Sequence, residues 1–314
     1  MTNGMANNSA KTHTDIRSHG WWRWLPPILH PYVYISRLDR PIGWWLLLLP
    51  GWWAIALGAP GFSSMVWFML LFLIGAIVTR AAGCIINDMW DRQLDQLVAR
   101  TSARPLAAGT MSMRQASLFL IALGLIGLLV LFQLPILAVY IGVAAAPLVI
   151  LYPLAKRVTW FPQFVLGLTF SWGVFLGWAA VTDSLPNLSL VLVYAGCAAW
   201  VFGYDTIYAV QDIDDDQKVG VKSSALALAG NIKAGVAAAY CLAVLLIAAG
   251  LLLHDQQSGL TGWLGLAAMA LHLGNQIRIV RIDDAVLALA LFKSNRNAGL
   301  LLAAGLMLDR LLIG

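Results

Sequence analysis

Two stretches of this chain combine residue types and spacings that could hold a metal-bound anion. The first, RAAGCIINDMWDRQLD over residues 80–95, is where a membrane-length apolar segment gives way to Asn87, Asp88, Asp91 and Asp95. On a continuous helix of 100° per residue, Arg80, Cys84, Asn87, Asp91 and Asp95 fall within a sector of roughly 80°. One face then carries a ladder of oxygen ligands with an arginine beneath it. Carboxylates this close repel one another unless a divalent cation neutralises them. Hard oxygen donors without a His or thiolate cluster suit Mg²⁺ or Mn²⁺.

The second stretch, YDTIYAVQDIDDD over residues 204–216, also follows an apolar run. Asp205, Asp212 and Asp216 lie within roughly 40° of one another on a helix, and Tyr208 sits one turn before Asp212 on nearly the same side. Basic residues follow each cluster, Arg100 and Arg104 after the first, Lys218 and Lys222 after the second. Two acidic helix ends that share metals, with cations alongside, describe a diphosphate clamp in which Lys and Arg take the charge the metals leave. Charged helix ends are ordinary at a membrane interface, so one D-x-x-x-D would say little. Its recurrence at two apolar helix ends is what points to a site.

Arg80 lies about 10 Å deeper along the helix than Asn87, on the ligand-bearing side. An arginine there is costly unless it is paired or faces a cavity. Two readings stay open: an ion pair with a neighbouring helix or a motif aspartate, and a hold on an anionic group of a second substrate.

The elements that must position these residues are transmembrane. Of 314 residues, 60% are hydrophobic and only 11% charged, a composition that excludes an ordinary soluble domain. The expected fold is all-α, a polytopic bundle of nine transmembrane helices, because open strands would leave backbone groups unsatisfied in lipid. Residues 1–34 are expected to be a polar N-terminal tail, disordered or interfacial, and residues 35–314 the transmembrane domain. Spans are predicted from Pro41 to Leu57 and at 64–88, 115–132, 135–154, 162–181, 188–210, 233–253 and 260–276, with 298–313 as a short ninth. Residues 285–292 are predicted to be a separate interfacial helix, cut off by Lys293, Ser294, Asn295, Arg296 and Asn297.

With nine spans, the loops rich in Lys and Arg fall on one side, and the short loops near 58–62, 133–134, 182–187 and 254–260 carry neither. The positive-inside rule then puts the N-terminus and both acidic motifs in the cytoplasm. The tail lacks a clear Arg-rich, acid-free presequence, so a bacterial plasma membrane is expected over a mitochondrial one. Small residues in AAGCII, GVAAAP and AAGLLL are expected to let helices approach closely, and Cys84, Cys197 and Cys241 to act as packing residues. His272 is expected to pack or to hydrogen-bond.

The motifs NDMWDRQLD, RTSARPLAAG and YDTIYAVQDIDDDQKVGVKSSA resemble those of the UbiA-type intramembrane prenyltransferases, and within them the bacterial 4-hydroxybenzoate polyprenyltransferases. SRLDRPIGWWLLLLPGWWA, YPLAKRVTWFPQFVLG and LFKSNRNAG support the likeness, which runs from about residue 35 to the end. It implies nine helices around a central cavity with cytoplasmic cap loops. It also implies Mg²⁺-dependent transfer of a polyprenyl chain from polyprenyl diphosphate to carbon 3 of 4-hydroxybenzoate, in ubiquinone synthesis at a lipid bilayer. Carried onto this chain, it makes Asn87, Asp91 and Asp95 the first metal motif and Asp212 and Asp216 the second, with Asp88 and Asp215 in less defined roles. Arg92, Arg157, Lys218 and Lys222 match positions around the diphosphate, and Arg80 the position that reaches the aromatic acid. Tyr204 and Tyr208 would face the allylic cation or serve in packing. Asp212 or the released diphosphate would take the ring proton.

No nucleic-acid partner is expected. Within the same fold the acceptor could instead be homogentisate, a dihydroxynaphthoate, haem or a lipid. A divalent-cation transporter would place its acids near the bilayer midplane, not at helix ends beside cations.

Overall fold

The computed structural model describes residues 19–98, 101–213, 217, 220, 222–254 and 259–313, without the side chains of 151, 153, 156 and 313. Asp215, Asp216, Lys218 and Arg100 lie outside the described residues. Among the described residues all regular structure is helical. The helices are α1 His30–Ile35, α2 Ile42–Gly58, α3 Phe62–Trp90, α4 Arg92–Leu97, α5 Met113–Leu131, α6 Ile136–Ala144 and α7 Ala146–Val158. They continue as α8 Pro162–Ser171, α9 Gly173–Thr182, α10 Leu188–Ala209, α11 Ser224–Leu228, α12 Ile232–Leu252, α13 Leu260–Ile279 and α14 Ala285–Ile313.

Among the described residues the stretches expected to span a membrane are helical, with turns at Ala145 and Trp172 inside two of them. Five segments are long and apolar enough to cross one: Phe62–Trp90, Met113–Leu131, Pro162–Thr182, Leu188–Asp212 and Ser224–Leu252. Ile42–Gly58 and Ile136–Ile150 are shorter apolar helices.

The chain divides within α3 and within α5 into two compact units, residues 1–41 with 78–126, and 42–77 with 127–314. In the first unit Ile35, Ala81, Ile85, Leu106, Met111 and Ala116 form a core, and the rings of Tyr32 and Phe119 meet edge to face at 5.1 Å. Residues 21–29, expected to belong to the tail, form two short 3₁₀ turns. Trp22 is buried, and its indole N–H donates to the Tyr34 hydroxyl at 3.2 Å. Just beyond α1, Arg37 takes a left-handed backbone with φ 58°, a conformation that costs a non-glycine residue energy unless its surroundings hold it.

In the second unit α10 packs against α8, α12 and α14, while α2 packs against α9 and α14, and α13 against α14. Glycines set two of these approaches. A Cβ on Gly177 would meet the Gly51 carbonyl oxygen at 2.6 Å, and one on Gly305 would run into the Thr261 carbonyl oxygen, so α9 and α14 each lie backbone to backbone on a neighbour. Of the three small-residue stretches, AAGLLL behaves as expected: a Cβ on Gly250 would meet the Ser189 carbonyl oxygen at 2.8 Å. An added Cβ on Gly83 meets nothing described within 4 Å, and one on Gly142 meets the side chain of Leu131 at 2.9 Å. Cys84 and Cys197 are buried in packing roles, and Cys241 is exposed.

The end of the chain corrects the sequence expectation. Residues 285–292 and 298–313 are not two helices but parts of the continuous α14. The polar residues that suggested a break are satisfied inside the protein. Ser294 Oγ donates to the Leu291 carbonyl at 2.8 Å, and Asn295, fully buried, donates to the same carbonyl at 3.1 Å and accepts from Trp200 Nε1 at 2.9 Å. Neither proline nor glycine occurs between Ala285 and Ala298 to stop the helix.

Candidate active site

In the first unit α3 delivers Arg80, Asn87 and Asp88, and then ends at Trp90. Asp91, at φ −95° and ψ 8°, breaks the regular helix before α4 begins at Arg92. The face predicted from an unbroken helix is therefore interrupted, but its spacing survives. Asp91 N–H donates to the Asn87 carbonyl at 2.9 Å and Asp95 N–H to the Asp91 carbonyl at 2.8 Å, so Asn87, Asp91 and Asp95 still recur one turn apart. Arg80, Asn87 and Asp91 are half-buried, and Arg92 is exposed.

Asp88 and Asp95 are buried and met by arginines. Both carboxylate oxygens of Asp88 accept from Arg37 Nη2, at 2.6 and 2.9 Å, and one also accepts from Arg104 Nη1 at 3.2 Å. Arg104 Nη1 reaches Asp95 at 3.0 and 3.1 Å, so one guanidinium ties two motif carboxylates together. Arg104, expected from sequence to take phosphate charge, is here paired with the motif itself. The loop between α4 and α5 is held over the acids by Arg92 Nε on the Leu106 carbonyl at 3.2 Å and by Thr101 Oγ1 on the Asp95 carbonyl at 3.0 Å. Arg37 escaped the sequence reading. A carboxylate inside an apolar helix demands a counter-charge, which Asp88 signalled, but the sequence offered no way to choose among the basic residues.

In the second unit Asn187 caps α10, accepting from Leu190 N–H at 3.2 Å, and the far end tightens into a 3₁₀ turn over Val210–Asp212. Asp205, Tyr208 and Asp212 are half-buried on one side of this element, whereas Trp200, Tyr204 and Ile207 are buried. The returning chain is anchored by hydroxyls. Thr206 Oγ1 and Ser224 Oγ are 2.7 Å apart, and Ser224 N–H donates to Gln163 Oε1 at 2.9 Å. Lys222 Nζ donates to the Val158 carbonyl at 3.1 Å and lies 5.7 Å from the centre of the Trp160 ring. That brings Lys222 to the end of α7, one residue beyond the exposed Arg157. A cation from one loop thus reaches the end of the helix that carries Arg157.

Phe292 of α14 is a further aromatic neighbour that the sequence did not suggest. Its ring lies 4.5 Å from Tyr208 and 5.7 Å from Tyr204. His272 pairs with Ser294 Oγ at 3.2 Å, the hydrogen-bonding role expected of it. Among the described residues no three His, Cys, Asp or Glu side chains stand together as a ready metal site. At the first helix end the described oxygen donors are the Asn87 amide and the carboxylates of Asp88, Asp91 and Asp95, of which Asp88 and Asp95 are met by arginines.

An all-helical membrane bundle with acids at the ends of α3 and α10 defines the class, and the family model agrees. Residues 47–301 match the UbiA prenyltransferase family, and the chain belongs to that family. A Caenorhabditis elegans protein named mitochondrial 4-hydroxybenzoate polyprenyltransferase is 42% identical over 91% of this chain and 80% of its own length. Its Rattus norvegicus namesake is 45% identical over 91% of this chain and 76% of its own. Among solved structures, the apo form of a UbiA homologue from Aeropyrum pernix superposes with a TM-score of 0.71 at 26% identity, covering 84% of this chain and 97% of that one. A UbiA homologue from Archaeoglobus fulgidus, bound to GPP and Mg²⁺, superposes at 0.65 with 16% identity, over 90% of this chain and 99% of that one.

The mitochondrial names of these relatives overturn the bacterial plasma membrane expected from the tail. The composition of a few N-terminal residues was too thin a signal to choose a compartment for a domain whose relatives carry mitochondrial names.

Proposed function

We infer that this protein is a polyprenyltransferase that moves a polyprenyl chain from its diphosphate to carbon 3 of 4-hydroxybenzoate, a step of ubiquinone synthesis. The reading is carried by identity of 42% and 45% over 91% of the chain with relatives named for that activity. Residues 35–314 form the catalytic domain, which crosses the bilayer nine times so that the isoprenoid tail stays in lipid.

The donor set of the first helix end suits a hard divalent ion. Asn87 and Asp91 stand one turn apart and half-buried, and Mg²⁺ typically takes one or two carboxylates and fills its shell with water and phosphate oxygens. Homologues from Archaeoglobus fulgidus carry Mg²⁺ in one structure and Cd²⁺ in another. In this protein Asn87, Asp91, Asp95, Asp212 and Asp216 would hold Mg²⁺, with Mn²⁺ as a substitute. Asp95 would exchange its guanidinium partner for the ion. When bound, the metal withdraws charge from the departing diphosphate.

The side chains do the rest. Arg92, Arg157, Lys218 and Lys222 take the remaining diphosphate charge, and Arg80 holds the carboxylate of the aromatic acid. The allylic carbon–oxygen bond breaks with its electron pair on the diphosphate, beside Tyr208. The ring carbon next to the phenol hydroxyl forms the new carbon–carbon bond, and its proton passes to Asp212 or to the released diphosphate. Exclusion of bulk water keeps the allylic cation from being hydrolysed.

The test is transfer by purified protein in lipid, with labelled 4-hydroxybenzoate, a prenyl diphosphate and Mg²⁺. Prenylated product that vanishes with EDTA and returns on adding Mg²⁺ is expected. Diphosphate release with no prenylated 4-hydroxybenzoate would overturn the acceptor while keeping the clamp.

A further inference from the structure

The half-buried side of α10 continues onto α14. Asp205, Tyr208 and Asp212 recur at spacings of three and four, so they share one face through the end of the helix. Phe292, also half-buried, lays its ring against Tyr208 with centroids 4.5 Å apart and planes at 42°. Tyr204, buried behind them, meets Phe292 at 5.7 Å and 63°. Tyr208 stands three positions after Asp205 and four before Asp212, so its half-buried ring, with Phe292 against it, lies on the side of α10 that carries the two carboxylates. An aromatic face is apolar yet attracts positive charge. It suits a group that arrives as hydrocarbon and becomes cationic.

This wall is fixed from below. Asn295, one turn after Phe292 and fully buried, donates to the Leu291 carbonyl at 3.1 Å and to Gln276 Oε1 at 3.2 Å. Its amide oxygen accepts from Trp200 Nε1 at 2.9 Å, and the Trp200 ring supports Tyr204 edge to face at 5.2 Å. Tyr240 closes the network through its hydroxyl on Gln276 Oε1 at 2.8 Å. One amide thus ties the helix that carries Phe292 to the ring stack of α10.

We propose that Phe292 forms, with Tyr208, the wall that faces the allylic end of the prenyl diphosphate, and that Asn295 is the positioning residue that sets Phe292 against Tyr208. The proposal rests on the prenyl-transfer reading and assigns a side chain that neither acidic motif contains.

A prenyl dimethylammonium salt with inorganic diphosphate serves as probe, and a neutral hydrocarbon analogue of the same shape as its control. Binding of both is measured on the purified full chain in lipid. Wild type prefers the ammonium. Phe292→Leu weakens the ammonium about tenfold and the neutral analogue less than about twofold, and Phe292→Tyr keeps the preference. In turnover, Phe292→Leu lowers kcat about tenfold while KM for the prenyl diphosphate stays within about threefold. Asn295→Ala lowers kcat with the same unchanged KM, and Asn295→Gln recovers less than half of it, because the longer amide displaces the ring.

Equal weakening of both probes by Phe292→Leu, or no preference in wild type, would overturn the wall. The charge preference without prenylation of 4-hydroxybenzoate would retain the wall and remove the acceptor reading. Active wild type without the preference would do the reverse.

Discussion

At the end of α3 the carboxylates of Asp88 and Asp95 are met by the guanidinium groups of Arg37 and Arg104, whereas at the end of α10 the described contacts include the ring pair of Tyr208 with Phe292 and the hydroxyl pair of Thr206 with Ser224. Both ends carry the same acidic signature in sequence. The contacts compared are buried ion pairs at the first end and ring packing with uncharged hydrogen bonds at the second, and these two kinds of contact should fail differently. Removing one member of a buried ion pair strands the other charge in a poor solvent. Removing a ring or a hydroxyl leaves a smaller loss that its neighbours share.

The largest effect is expected from Arg37→Ala, which leaves Asp88 with the longer contact to Arg104 and should cost about 3–5 kcal/mol in thermal or denaturant unfolding of the purified protein. Arg37→Ala combined with Asp88→Ala should recover more than half of that loss. An additive double variant would mean that no charge network operates here. Asp91→Asn separates ligation from structure on the same helix end. Transfer should fall at least about 100-fold while the melting temperature holds, because the amide keeps the shape of a half-buried carboxylate and removes the charge a metal needs. A matching loss of melting temperature would move Asp91 into the scaffold.

The second end is expected to respond more mildly. Asn295→Ala leaves Trp200 Nε1 without its buried acceptor, at a cost of about 1–3 kcal/mol in the same unfolding measurement. Ser224→Ala removes one hydroxyl from the Thr206 pair and should cost about 1 kcal/mol. Should Ser224→Ala prove as damaging as Arg37→Ala, the contrast between the two ends would collapse.

Much of this protein was legible in its sequence because lipid restricts the choices. Long apolar runs must be helices when no water can satisfy the backbone, and acids that interrupt such runs announce themselves. The helical stretches, the two helix ends and the one-turn recurrence of Asn87, Asp91 and Asp95 were all read that way. The polar run from Lys293 to Asn297 misled for the same reason. Polar residues in a membrane segment suggest a break, yet Asn295 is satisfied by Trp200, Gln276 and Leu291, and α14 runs through. Arg37 was hidden because its partner Asp88 lies 51 positions away, and the sequence offers several other basic residues.

The sequence by itself determined the helical architecture, the family and the spacing of the acids proposed to hold a metal diphosphate, since these depend on composition and on spacings of a few residues along one helix. Only the tertiary structure decided that Arg104 joins Asp88 to Asp95, that Lys222 reaches the Val158 carbonyl, and that Phe292 lies against Tyr208. Those pairings close gaps that run from 9 positions, between Asp95 and Arg104, to the 84 that separate residue 208 from residue 292. Which distant side chains meet is set by the packing of whole helices, to which local pattern is blind.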